Sequence, residues 1–61
     1  MVTKEDVLKM SADELAIFVD EVDNDNYNGK SLDDYNIPEY RQIMEAYHYA
    51  IEVAMEKGIN I

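Results

Sequence analysis

Apolar residues return at helical spacing in two stretches of this chain and thin out between them. In the first, Leu15, Phe18, Val19 and Val22 follow the i, i+3, i+4, i+7 spacing of one buried helix face. Just ahead, Ser11-Ala-Asp-Glu14 is a capping-box pattern. The Ser11 hydroxyl can accept from the Glu14 amide, and the Glu14 carboxylate can reach back to the Ser11 amide. Asp13 and Glu14 also suit the positive end of the helix dipole. These signals predict a helix over 12–22. Thr3 can cap a shorter helix over 4–9, with Val7 and Leu8 pointing inward.

The second stretch is longer. Pro38 fits the first turn of a helix, where its missing N–H costs nothing. Gly58 suits a left-handed C-terminal cap, and Lys57 complements the negative end of the dipole. The spacing predicts a helix over 38–57, about 30 Å long at 1.5 Å per residue. Between the stretches lies Asp23-Asn-Asp-Asn-Tyr-Asn-Gly29, a run of turn formers. We therefore expect a loop over 23–37, with one helical turn at Ser31-Leu-Asp-Asp34. Leu32, Tyr35 and Ile37 would fold this segment back over the core. The expected fold is all-α, a helical hairpin or three-helix domain. The middle helix lies antiparallel to the long one, and the short helix covers an end.

On the long helix, Tyr40, Ile43, Met44, Tyr47, Ala50, Ile51, Ala54 and Met55 form one broad apolar face at 100° per residue. Ala46, Tyr49 and Val53 form a second strip beside it. Together they exceed the stripe of an ordinary surface helix. The middle helix offers only about three apolar turns to cover them. The expectation is that Ala46, Tyr49 and Val53 meet a second chain, most simply another copy in a two-fold homodimer. Five tyrosines also favour contact surfaces, since each offers area with a polar tip.

Composition sharpens this picture. A single domain of 61 residues has a thin core. Without cysteine, no disulfide or thiolate metal site supports it. The charged start and the lack of a long apolar run point to a whole, soluble, cytoplasmic gene product. The net charge of −9 argues against direct binding to nucleic acid or to a membrane surface. Between Met10 and Gly29 stand Asp13, Glu14, Asp20, Glu21, Asp23 and Asp25, with no Lys or Arg. A one-signed field of this kind keeps a protein soluble and can steer a basic partner. Ile17 lies among these acids, opposite the buried face, as an apolar knob ringed by carboxylates.

Chemistry of other kinds finds little footing. Asn24, Asn26, Asn28 and Gly29 match positions 1, 3, 5 and 6 of a calcium loop, but position 12 falls on Tyr35 instead of a bidentate Glu. His48 with Glu45 and Glu52 makes three ligands where a structural zinc site uses four. An exposed charged ridge with Arg41 explains that trio better. Ser11 and Ser31 read as helix caps, and no glycine-rich phosphate loop is present. No cofactor and no catalysis are expected. The leading expectation is a non-enzymatic protein-binding module: a regulator, adaptor or inhibitor of the size and composition common among phage and mobile-element products. Two alternatives stand beside it. One is a nucleic-acid mimic that occupies the basic groove of a DNA- or RNA-binding protein. The other is a small subunit of a larger complex.

Overall fold

The computed structural model describes residues 1–61. Its elements are α1 (Lys4–Leu8), α2 (Ala12–Asp23), a two-stranded hairpin of β1 (Asn26–Tyr27) and β2 (Lys30–Ser31), a 3-10 turn over Leu32–Asp34, and α3 (Ile37–Glu56). The domain is mostly helical but not purely all-α, because the segment expected as a plain loop contains the hairpin. The cause is the Asn28-Gly29 pair. Both residues adopt positive φ, +55° and +77°, as a two-residue hairpin turn of the type that matches strand twist requires. Asn26 then pairs with Ser31 and Tyr27 with Lys30.

Both short-range caps form as the spacing predicts. Thr3 and Asp6 exchange side-chain and backbone hydrogen bonds at the start of α1. Ser11 and Glu14 do the same for α2. The long helix begins one residue earlier than expected, because the Asn36 side chain caps it by accepting from the Glu39 amide at 2.9 Å. It ends in a Schellman turn. Gly58, at φ +70°, donates to the Met55 carbonyl, and the Ile59 amide donates to Ala54 at 2.8 Å. Gly58→Ala has open space around the added Cβ but keeps the left-handed backbone. We expect it to destabilise the fold by about 1–2 kcal/mol, read as a lower thermal midpoint.

Leu15, Phe18, Val19 and Val22 are all buried. Tyr27 ties the hairpin to them, with its ring edge-on to Phe18 at 6.1 Å and 5.8 Å from Tyr35. The Tyr35 hydroxyl closes the loop by donating to the Tyr27 carbonyl at 2.7 Å. In α1, Val7 is fully buried, whereas Leu8 is 55% exposed, against the expectation that both point inward. Adjacent side chains point about 100° apart, and α3 covers the Val7 side of this short helix while the Leu8 side stays open.

A larger correction concerns α3. Ala46 and Val53 were expected to meet a second chain, but they are 1% and 5% exposed within this one. Tyr49 is half-buried beside them. The reason is the placement of the N-terminal segment. Instead of covering an end, α1 packs along α3. Val2 and Val7 join Ala46 and Val53 in one core cluster. The Gln42 side chain donates to the Val2 carbonyl at 3.1 Å, and the Lys4 ammonium sits 5.7 Å from the Tyr49 ring. Conversely, Tyr40 and Met55, expected in the core, are 41% and 73% exposed. The excess apolar arc of α3 is real, but it lies on a different side of the helix.

Candidate partner-binding surface

The residues that bury the inner face of α2 also fix what its outer face carries. With Leu15, Phe18 and Val22 turned inward, Asp13, Ile17 and Asp20 follow one another along the opposite side. Asp13 and Asp20 are exposed, and Ile17 is 58% exposed. Glu14 is also exposed, and Glu21 is half-buried.

The predicted knob at Ile17 gains a neighbour that sequence reasoning missed. After the Schellman turn at Gly58, Ile59 packs against the core and the chain runs back toward α2. Ile61 then lies across from Ile17. The two, with Ala16, Val19, Asp20 and Asp23, line an open groove of about 400 Å³. Its floor is apolar, its charged members are both carboxylates, and no Lys or Arg lines it. No periodicity argument reaches Ile61, which belongs to no element.

Not all six acids of this stretch are equally available. The Glu14 carboxylate accepts from the Ser11 amide, and that bond holds its pKa below the usual value. Asp25 takes positive φ at the end of α2 and accepts from the Ser31 hydroxyl at 3.1 Å. Asp23 accepts a hydrogen bond from the Tyr47 hydroxyl and so joins α2 to α3. Glu14, Asp23 and Asp25 thus have structural duties, while Asp13 and Asp20 make no side-chain hydrogen bond. Asp20 and Asp23 are brought to one groove with Ile17, but Ala46 and Val53 are buried and lie outside that groove.

Two tyrosines in this framework hold their protons above the ordinary value of 10.0. Burial is the main cause at Tyr27, and the hydrogen bond to Asp23 is the main cause at Tyr47. A raised folded-state pKa gives a contribution that is present below the unfolded value and is lost as pH rises through the folded value. The urea midpoint should therefore hold steady up to about pH 9 and fall above pH 10 as tyrosinate absorbance grows. Tyr47→Phe should remove part of that fall. An unchanged alkaline profile would count against the Tyr47–Asp23 link.

The asparagines of the calcium-like spacing are used within the fold. Asn24 donates to the Asp20 carbonyl at 2.8 Å, Asn26 sits in β1 and Asn28 forms the turn. No three His, Cys, Asp or Glu side chains converge to a metal-holding cluster, at His48 or elsewhere. No helix is long and apolar enough to cross a membrane. The chain matches no protein-family model, and neither a curated protein nor a solved structure matches it.

Proposed function

We propose that this is a non-enzymatic protein-binding module that receives a basic, amphipathic segment of a partner protein on the outer face of α2. The observation that carries this reading is the groove itself: two exposed isoleucines, Ile17 and Ile61, flanked by Asp20 and Asp23 with no cation among the lining residues. An apolar anchor supplies affinity by excluding water. Surrounding carboxylates select for Lys and Arg and speed the encounter. Asp13 extends the negative rim along the same side of α2, and the net charge of −9 favours cationic partners at long range. A regulator, adaptor or inhibitor works by such occupancy. The groove has the mixed character of a protein contact: a purely ionic mimic of nucleic acid has no use for its apolar floor.

A synthetic helical peptide with leucines on one face and lysines beside them tests the reading. Amide shifts should concentrate at Ala16, Ile17, Asp20 and Ile61. Ile17→Lys removes the anchor and reverses a charge, and should weaken binding by about 100-fold or more. Affinity should also fall as salt rises from low to roughly half-molar, where screening shortens the reach of exposed charges to a few ångströms. Binding that ignores both Ile17→Lys and salt would overturn the proposal. In capture from cell extract, the relevant partner is one retained by the native protein and lost with Ile17→Lys.

A further inference from the structure

The side of α3 left open by the fold carries its own pattern. Core contacts occupy Ile43, Ala46, Ala50 and Val53. The open side carries Ile37, Tyr40 and Met55, which are 69%, 41% and 73% exposed, with Met44 and Ile51 half-buried between them. Ile37, Met44 and Ile51 recur every seven residues with Tyr40 and Met55 beside them, whereas Tyr47, bonded to Asp23, and Ala54, fully buried, turn toward the core. That is an apolar seam of the kind along which one helix can meet another. It runs from Ile37 to Met55 and borders the side of α3 that faces the core, where Met44 and Ile51 are half covered.

We propose that a second copy of this chain covers the seam, its α3 antiparallel to the first about a two-fold axis near Tyr47 and His48. The charges beside the seam select this occupant and this direction. Arg41 stands near the start of α3 and Glu52 near its end, on the same flank of the seam. An antiparallel copy sets each Arg41 level with the Glu52 end of the other helix, twice by symmetry. A parallel copy sets Arg41 level with Arg41 and acid level with acid, which is repulsive. The apolar residues match in the same register. Tyr40 lies opposite the second copy's Met55, and Met44 opposite the second copy's Ile51. One self-complementary patch is what a two-fold interface needs. The two helix dipoles also oppose each other favourably. This surface is separate from the groove at Ile17, and the proposal stands whether or not that groove binds a basic segment.

Salt separates the two surfaces. Two copies of net charge −9 repel, so added salt should strengthen self-association while it weakens a basic partner. Sedimentation equilibrium at roughly 100 µM in half-molar salt should give twice the 7.1 kDa chain mass. Met55→Glu sits on an exposed position and should leave the circular dichroism spectrum intact while raising the dimer dissociation constant about tenfold or more. Arg41→Glu should also weaken the dimer, and Arg41→Glu with Glu52→Arg should restore it. Because the chain has no cysteine, introduced thiols report direction cleanly. His48→Cys should cross-link to itself across the axis. Tyr40→Cys should cross-link to Met55→Cys in a mixture far more than to itself. A monomer under these conditions overturns the proposal. So does a dimer indifferent to Met55→Glu, or one that cross-links Tyr40→Cys to Tyr40→Cys.

Discussion

Ala46→Glu is expected to unfold this protein or reduce it to a loosely packed remnant. Ala46 is 1% exposed and shares its core cluster with Val2, Val7 and Val53. A glutamate there has two choices. It can stay beneath the N-terminal segment, protonated or charged, at a cost of several kcal/mol for burying an unpaired polar group. Or it can reach water by pushing that segment off α3. The second choice exposes Val2 and Val7, each worth about 1.5–3 kcal/mol when fully buried. It also releases the Gln42 hydrogen bond to the Val2 carbonyl. At roughly 0.05–0.15 kcal/mol per residue, a domain of 61 residues has only about 3–9 kcal/mol in total. Either outcome consumes most of it. The expected reading is a broad, non-cooperative melt or a large loss of helical signal at room temperature. Had Ala46 been an interface residue, the variant would melt like the native protein and differ only in association. A native-like melt would show that the N-terminal segment does not cover α3.

Ala46 also shows where sequence reasoning failed and why. Helix positions followed from local chemistry: Thr3, Ser11 and Gly58 act within a few residues of themselves, and each does what its type and position predict. The inner face of α2 followed from spacing alone. Which arc of α3 is buried depends on where α1 lies, and a five-residue helix has too little pattern to say. Placed at an end, it would leave Ala46 and Val53 open; placed alongside, it buries them and leaves Tyr40 and Met55 open. The hairpin was legible in principle, since Asn28-Gly29 is a strong turn signal. It was obscured by strands of only two residues, too short for any alternation. For the groove, Ile17 and its carboxylates were visible on the helical wheel. Ile61 was not, because its position depends on the direction in which the Gly58 turn returns the chain.

The same uncertainty makes α3 the most informative place for a paired substitution. Ile43 and Met55 share one broad apolar face on a helical wheel. In the fold, Ile43 is fully buried and Met55 is 73% exposed. Ile43→Ala removes three carbons from a site with no exposure and should cost about 2–5 kcal/mol, a large part of the total stability. The urea midpoint should fall steeply, or the cooperative transition should vanish. In dilute solution Met55→Ala should lie within about 0.5 kcal/mol of the native protein, as exposed substitutions do. Concentration then separates packing from association. A dimer stabilises its folded chains by mass action, so the native midpoint should climb with protein concentration and the Met55→Ala midpoint should climb less. Equal losses from the two substitutions in dilute solution would place Met55 in the core and rotate α3 back toward the arrangement its sequence first suggests. A large loss at Ile43 alone would fix the buried arc and leave the Ile37–Met44–Ile51 seam facing outward, where a second helix can reach it.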